Sequence, residues 1–256
     1  MDMAAAAILG LIQGFTEWLP ISSSGHLVMA QTLMGISVPA EFDIVIMLGT
    51  IAALLLYFRE KILSLAAGLL SNDPKAAKYV LLMVVAGIPT AIVGFAARDF
   101  FKGLFYQPII VGFLIFLTGI FLFFASRKRK QEKKMGAKSA FAVGLAQGIA
   151  VAPGISRSGS TIGTALLLGI KPQEAAEFSF LIGAPAMLVA SLFELRGLAL
   201  TDFDLQLAAV GIITSFLAGY AGISFFMEIL KRGKLEFFAY YCILAGILFA
   251  ALTFAI

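Results

Sequence analysis

A sixteen-residue segment that occurs twice constrains this chain more than any other feature. Residues 10–25 read GLIQGFTEWLPISSSG, and residues 144–159 read GLAQGIAVAPGISRSG. Eight of the sixteen positions are identical at a constant offset of 134 residues, and Gly49 and Gly183 keep that offset further along. Similarity at a fixed offset indicates an internal duplication. The sequence therefore predicts two related halves, each organised around one copy of the segment.

The two copies differ at their most reactive positions. The first copy carries Glu17, where the second copy has an apolar residue. His26 comes directly after the end of the first copy, and a serine stands at the corresponding position of the second half. The second copy carries Arg157 where the first has Ser23. His26 is the only histidine of the chain. Together the copies supply a carboxylate, an imidazole, a guanidinium and hydroxyls, which are groups that bind and transfer phosphate.

Composition places this duplication in a membrane. The 256 residues are 61% hydrophobic and only 13% charged, with a mean hydropathy of +0.99. The apolar runs are too long and too uninterrupted for the strands of a membrane barrel. The single cysteine, Cys242, excludes an intrachain disulfide. We therefore expect an all-α polytopic membrane protein.

Short apolar stretches flank each copy of the repeated segment. They cover residues 3–19 and 26–36 in the first half, and 140–152 and 161–170 in the second. Stretches of about 10–14 apolar residues are typical of re-entrant segments, and Pro20 prevents a continuous first helix. Each half therefore predicts a re-entrant helical hairpin whose tip lines a polar cavity. Longer apolar runs predict full spans at about 44–58, 79–97, 106–125, 177–195, 206–228 and 236–256.

The number of crossings predicts the relation between the halves. A hairpin makes no net crossing and three spans make an odd number, so the second half is inverted relative to the first. The fold class is thus an inverted-topology repeat, each half being one re-entrant hairpin plus three transmembrane helices. We expect a single membrane domain, with repeat 1 at about 1–126, a basic linker at 127–138 and repeat 2 at about 139–256.

Basic residues then predict the orientation. Apart from Arg157, fifteen lysines and arginines fall on one face and three on the other, and the richer face is expected to be cytoplasmic. Both termini then lie outside. The linker 127–138 is expected to touch anionic lipid, not nucleic acid. The fifteen are Arg59, Lys61, Lys75, Lys78, Arg127, Lys128, Arg129, Lys130, Lys133, Lys134, Lys138, Lys171, Lys231, Arg232 and Lys234; the three are Arg98, Lys102 and Arg196.

The first hairpin carries an acid and an imidazole as candidate functional groups. Gln13 and Glu17 are four residues apart, so they share a helix face. A carboxylate within a membrane segment is costly and is a functional candidate for that reason. Glu17 could bind a metal, relay a proton or orient His26. His26 could be a nucleophile or a general acid and base, although a lone histidine is also common as an interfacial residue.

Arg157 is the candidate phosphate ligand. It lies in a turn between two apolar helices, where a guanidinium can bind phosphate in a bidentate manner. Backbone N–H groups at Ser22–Gly25 and Ser156–Gly159, at helix N-termini, would add an anion cradle. The alternative is that Arg157 neutralises Glu17 across the two halves, and both roles are compatible.

At these residues the sequence resembles the undecaprenyl-diphosphate phosphatases of bacteria, also called the bacitracin-resistance proteins. The family's first motif continues from the Gln13–Glu17 pair into Pro-x-Ser-Ser-x-Gly-His, which residues 20–26 match. Its second motif, Pro-Gly-x-Ser-Arg-Ser-x-x-Thr, is matched in full by residues 153–161. The resemblance extends over the whole chain in length and order of spans.

The resemblance implies hydrolysis of a polyprenyl diphosphate lipid to the monophosphate carrier in the bacterial cell membrane, which supports peptidoglycan synthesis and bacitracin resistance. It implies a magnesium or calcium ion, held by Glu17 with Gln13, although many family members have Glu where this chain has Gln13. It implies catalytic roles for Glu17, Ser23, His26 and Arg157. The residues implied in diphosphate binding are Ser22, Ser24, Gly25, Ser156, Ser158, Gly159 and Thr161.

Two questions stay open at this level. Either Ser23 attacks phosphorus with His26 as its base, or His26 attacks and Ser23 is a phosphate ligand. An inverted repeat with broken helices is also the plan of transporters, so an isoprenyl-phosphate lipid transporter is the alternative function. A homo-oligomer is compatible with the sequence.

Overall fold

A computed structural model describes residues 1–128, 131–196 and 204–255. This part of the chain is helical apart from its connections and an isolated bridge between Lys133 and Ile170. The helices of the first half are α1 (Met3–Trp18), α2 (Ser23–Met34), α3 (Ala40–Tyr57), α4 (Arg59–Leu70), α5 (Pro74–Ala96), α6 (Arg98–Leu104) and α7 (Pro108–Ser126). Those of the second half are α8 (Ala137–Ile149), α9 (Arg157–Leu167), α10 (Pro172–Leu195), α11 (Leu205–Lys231) and α12 (Glu236–Ala255).

The long helices confirm a multi-pass membrane protein. Within the described ranges, α5, α7, α10, α11 and α12 are long and apolar enough to span a bilayer. The pair α3 and α4 is a sixth candidate, bent by 69° at its junction. These six positions are the ones at which the apolar runs predict spans. The inversion of the second half and the domain division stay predictions, and Arg129 and Lys130 lie outside the described residues.

Two short helices were not predicted. Helix α4 begins with Arg59, Glu60 and Lys61 and has no buried residue, while α6 is only 7 residues long. Charged residues at their starts lower the local hydropathy below that of a span. Helix α4 follows α3 after a bend of 69°, and α6 follows α5 after one intervening residue.

Each copy of the repeated segment forms two short helices joined by a tight turn. Helices α1 and α2 flank the turn of the first copy, and α8 and α9 flank that of the second. Pro20 lies in the first turn, where its missing N–H and fixed φ end the preceding helix. These four helices confirm the predicted helix–turn–helix units, and their entry from opposite membrane faces stays a prediction.

The hairpins pack across the two halves. Helix α1 makes its most extensive contacts with α11, and α8 makes its most extensive contacts with α5. The first helix of each hairpin therefore lies on the middle spanning helix of the other half. Helices α7 and α12, the last of each half, also pack along one another.

Glycines of the repeated segment allow this close packing. A Cβ atom on Gly14 would collide with the backbone carbonyl of Ser215 in α11, and one on Gly144 would collide with the carbonyl of Ala86 in α5. Small residues let helix backbones approach closely in membranes, where packing replaces the hydrophobic effect between helices. Part of the identity between the two copies thus serves packing.

Candidate active site

The tips of the two hairpins meet in the interior of the molecule. The hydroxyl of Ser158 donates to the carbonyl oxygen of Leu19 at 2.8 Å. Nη2 of Arg157 lies 2.7 Å from Oε1 of Glu17. The two copies of the repeated segment are therefore in contact in the fold. The first half supplies the carboxylate at this contact, and the second half supplies the guanidinium.

Serines common to both copies cap the second helix of each hairpin. Ser22 accepts a hydrogen bond from the amide of Gly25 at 3.3 Å, and Ser156 accepts one from Gly159 at 3.0 Å. Such caps satisfy amides that lack a partner within the helix. The amides of Gly25 and Gly159, which were predicted to bind an anion, therefore already donate to these serines. Fewer backbone amides are left to bind an anion than the sequence indicates.

The two turns differ in backbone conformation. Ser22 has φ 70° and ψ 93°, whereas Ser156 has φ −74°. A positive φ on a residue with a side chain costs free energy and persists only where its surroundings impose it. The carbonyl oxygen of Ser22 accepts both the backbone amide of His26 at 3.1 Å and its ring Nδ1 at 2.7 Å. His26 therefore supports the strained turn.

Glu17 is the centre of the hydrogen-bond network. Its Oε2 accepts the amide of Gln13 at 3.0 Å and the hydroxyl of Ser23 at 2.5 Å, while its Oε1 faces Arg157. The residue is only 8% exposed. A buried carboxylate that holds a hydroxyl proton is placed to accept that proton when the oxygen attacks.

Arg157 is buried but only partly satisfied. Its side chain is 13% exposed, and besides Glu17 its Nη2 contacts Sδ of Met187 at 3.0 Å. The guanidinium carbon lies 5.0 Å from the centre of the Trp18 ring, a cation–π contact. Within the described residues, Nε and Nη1 are buried without a hydrogen-bond partner. Since buried donors are normally paired, these two nitrogens indicate an anionic ligand.

Gly183 makes room for this guanidinium and was not predicted as a site residue. A Cβ atom there would collide with Nη1 of Arg157 and would lie 2.8 Å from its central carbon. The constant offset between Gly49 and Gly183 marks the position in the sequence. It does not reveal that a glycine of α10 lies against the arginine of α9.

His26 lies beside the acid and arginine cluster and faces α12. Its Nε2 is 2.7 Å from the hydroxyl of Tyr241, and the two rings are nearly parallel, at 12°. In the described part of the chain, no hydrogen bond joins His26 to Ser23 or Glu17; the Ser23 hydroxyl donates to Glu17. Both predicted roles of His26 in the transfer stay predictions. Tyr241 was missed because it belongs to no motif.

The remaining polar residues of the second turn are buried around the backbone of Arg157. Thr161 is fully buried, and its hydroxyl contacts the carbonyl oxygen of Arg157 at 2.8 Å and Ser179 at 2.5 Å. Ser156 and Ser158 are also buried, with their hydroxyls 3.3 Å apart. Direct phosphate contact by these three residues stays a prediction. In the first turn, Ser24 lies 3.4 Å from Ser22 and is less buried.

The site has few side chains that could bind a divalent cation. Among the described residues, no three acidic, histidine or cysteine side chains converge on one point. The site offers one carboxylate, Glu17, and the side-chain amide of Gln13. Magnesium sites commonly use one or two carboxylates together with substrate phosphates. These residues therefore fit a cation that is shared with a bound diphosphate.

This arrangement defines a class of protein: a multi-pass helical membrane protein that joins an acid, a hydroxyl and an arginine where two hairpins meet. The chain belongs to the family described as bacitracin resistance protein BacA, whose model it matches over residues 6–248.

Curated relatives agree with this membership over almost the full chain. The chain is 40% identical to an undecaprenyl-diphosphatase of Carboxydothermus hydrogenoformans, with 96% of each chain covered. It is 40% identical to one of Syntrophotalea carbinolica, covering 99% of this chain and 100% of the relative. It is 36% identical to one of Methanosphaera stadtmanae, with 97% of each chain covered.

Proposed function

We propose that this protein hydrolyses undecaprenyl diphosphate to undecaprenyl phosphate and inorganic phosphate. It is then a membrane hydrolase that renews the carrier lipid for peptidoglycan synthesis and confers bacitracin resistance. Family membership and the names of the relatives support this activity. The observation that carries it is the buried guanidinium of Arg157, which lies beside the Glu17–Ser23 pair. Two of its nitrogens have no hydrogen-bond partner among the described residues.

Arg157 binds the terminal phosphate of the substrate. Its Nε and Nη1 donate to phosphate oxygens, while Nη2 keeps its bond to Glu17 at 2.7 Å. A planar guanidinium matches the oxygens of a phosphate in a bidentate manner. Charge grows on these oxygens during phosphoryl transfer, so a donor fixed in a buried site stabilises the transition state.

Ser23 attacks the terminal phosphorus, and Glu17 takes its proton. The new bond joins Oγ of Ser23 to phosphorus, and the bond from phosphorus to the bridging oxygen breaks. Undecaprenyl phosphate leaves with that oxygen. The contact of 2.5 Å between the Ser23 hydroxyl and Glu17 supports this choice, as does the engagement of both ring nitrogens of His26 with other groups.

A water molecule completes the reaction. Its oxygen attacks the phosphorus of the phosphoserine, and the bond from phosphorus to Oγ of Ser23 breaks. The water oxygen and both of its protons enter the inorganic phosphate, and Oγ of Ser23 regains the proton held by Glu17. The sum is one diphosphate and one water converted to the monophosphate and inorganic phosphate. Glu17 thus acts first as base and then as acid.

A divalent cation is proposed as the cofactor. Glu17 and Gln13 would hold a magnesium or calcium ion together with the diphosphate oxygens. When bound, such an ion neutralises part of the substrate's charge. Because Gln13 is neutral, we expect the ion to depend on the substrate for much of its binding.

The proposed location is the bacterial cell membrane, with the hairpin tips open to the outer side. The lipid tail then lies among the apolar helices while the diphosphate reaches the turns. The excess of lysine and arginine on the predicted cytoplasmic face supports this orientation.

The decisive experiment measures inorganic phosphate released from a long-chain isoprenyl diphosphate by the detergent-purified protein, with and without magnesium or calcium. We expect cation-dependent release by the wild-type protein. Arg157→Ala is expected to lower the rate by about 10²–10³-fold, because a transition-state donor is lost. Arg157→Lys keeps the charge beside Glu17 but loses the planar fork, and is expected to be impaired while remaining folded.

Arg59→Ala is the matched control, since the Arg59 side chain is 55% exposed and far in sequence from both motifs. It should release phosphate at the wild-type rate. No release from folded wild-type protein under any cation would contradict the proposal and favour lipid transport by the same architecture.

A further inference from the structure

Tyr241 is a side chain of the second half that reaches the first hairpin. It lies on α12, and its hydroxyl oxygen is 2.7 Å from Nε2 of His26. The two rings are nearly parallel, with centroids 5.6 Å apart. This contact spans 215 residues of sequence and lies next to the turn that begins α2.

The hydrogen bonds of His26 determine its tautomer. A backbone carbonyl can only accept, so Nδ1, at 2.7 Å from the carbonyl oxygen of Ser22, carries the proton. Nε2 of the neutral ring is then an acceptor, and the hydroxyl of Tyr241 donates to it. The Ser22 carbonyl therefore fixes the tautomer, and Tyr241 holds the ring orientation through its bond to Nε2.

The same ring supports the residue that precedes the proposed nucleophile. The Ser22 carbonyl accepts the ring and the backbone amide of His26, and Ser22 has the positive φ of 70°. Ser23 follows directly and donates to Glu17. A change in the His26 ring is thus transmitted through one strained residue to the hydroxyl of Ser23.

We propose that Tyr241 is a positioning residue, which acts through His26 and Ser22 to hold Ser23 against Glu17. The inference rests on the proposed phosphatase function. It assigns to α12 a part in the reaction that neither repeated motif contains. Tyr241 itself does not need to touch the substrate.

The residue immediately before Tyr241 offers a matched control. Tyr240 and Tyr241 are 45% and 44% exposed, respectively, and lie on the same helix. The ring of Tyr240 packs near Phe123, at 6.0 Å, on α7. Tyr241→Phe removes the hydroxyl but keeps the ring, and Tyr240→Phe does the same one position earlier.

The first readout is spectroscopic and independent of activity. Because His26 is the only histidine, protein labelled with ¹⁵N-histidine gives the signals of this one imidazole, whose shifts report the tautomer. We expect a protonated Nδ1 and an unprotonated Nε2 in the wild-type protein. Tyr241→Phe should shift the Nε2 signal and Tyr240→Phe should not. Unchanged signals in Tyr241→Phe would overturn the proposal.

The second readout is kinetic, on the same samples. Tyr241→Phe should lower kcat for phosphate release by about ten- to a hundredfold, as misplaced reacting groups do, with KM within about twofold because Arg157 still binds phosphate. Tyr240→Phe should match the wild type. A shifted imidazole signal with unchanged kcat would refute the positioning role. Inactive wild-type protein would instead refute the phosphatase function, while the signals would still decide the contact.

Discussion

Single residues of the site depend on one another because the central pair is buried. Glu17 and Arg157 neutralise each other at 2.7 Å, and each has little exposed surface. Removing one partner of a buried pair leaves an uncompensated charge, which typically costs about 3–5 kcal/mol of folding free energy. Two nitrogens of Arg157 have no partner in the part of the chain that the structure describes, so the ion pair alone does not satisfy the guanidinium. The ion pair and a phosphate ligand are therefore compatible.

Gly183→Ala tests the space around Arg157 without changing any charge. The added Cβ would collide with Nη1 of Arg157, so the guanidinium must leave the position from which it is proposed to bind phosphate. We expect kcat/KM for phosphate release to fall about tenfold or more, since misplacement of about 1 Å can cost about a hundredfold.

Gly103→Ala is the control for that substitution, because nothing lies within 4 Å of its added Cβ. It should leave kcat/KM unchanged. A Gly183→Ala protein with wild-type kcat/KM and a normal elution profile would show that Arg157 does not need its observed position.

The repeated motifs contain Glu17, Ser23 and Arg157, which the structure brings together at the candidate site, but they could not show how the side chains point. Glu17 and Arg157 were predictable, because costly charges replace apolar or neutral residues between otherwise similar copies. Gly183 and Tyr241 were not, because they meet the motifs only through packing across the two halves. The direction of the Ser23 hydroxyl toward Glu17, and of the His26 ring toward α12, likewise depends on the folded turn.

At the scale of helices, the first helix of each hairpin packs on a spanning helix of the other half. Helix α1 lies on α11 and α8 lies on α5, and equivalent glycines of the repeated segment lie at both contacts. The sequence predicted the spanning helices and the hairpin helices, because the length of an apolar run and the polar residues that end it are visible in the hydropathy pattern. It could not predict α4 and α6, whose charged starts interrupt the apolar runs.

Gly144→Ala tests the contact between α8 and α5. The new Cβ would meet the backbone of Ala86, which cannot turn aside as a flexible side chain can. We expect a lower yield of folded protein in detergent and an earlier thermal transition, because overpacking costs about 1–3 kcal/mol.

Gly87→Ala on α5 is the opposite case, with nothing within 4 Å of its added Cβ. It should be neutral or slightly stabilising, by up to about 1 kcal/mol, because alanine is the better helix former. Equal thermal stability of the two variants would contradict the packing derived for α8.

Across the whole molecule, α10 is tied to the first half at both of its ends. Near its start, Glu177 pairs with Lys61 at 2.7 Å, and near its end Glu194 pairs with Arg98 and Lys102, each at 2.7 Å. These contacts fall on the two faces that the charge distribution distinguishes. Helix α10 also carries Gly183, which lies against Arg157. Ion pairs at both ends of α10 therefore fix the helix that contacts this arginine.

Single cysteines can test the orientation of the molecule. Cys242 is buried and should react little with a membrane-impermeant maleimide. Lys75 is exposed and Tyr106 is 85% exposed. In intact cells we expect labelling of Tyr106→Cys but not of Lys75→Cys, which should react only after permeabilisation. The reverse pattern would invert the topology and place the hairpin tips at the cytoplasmic side.

The pairing of α1 with α11 has a consequence for biosynthesis. Helix α1 is made first, but residues 19–204 must be translated before its main partner emerges. Until then α1 lacks the glycine-lined surface of α11, and Glu17 also lacks its partner Arg157 until α9 has been made. A ribosome that stops before α11 leaves the N-terminal hairpin without its main packing partner, and quality-control proteases can recognise such an unpacked helix. Completion of the packing around α1 therefore depends on the last fifth of the chain.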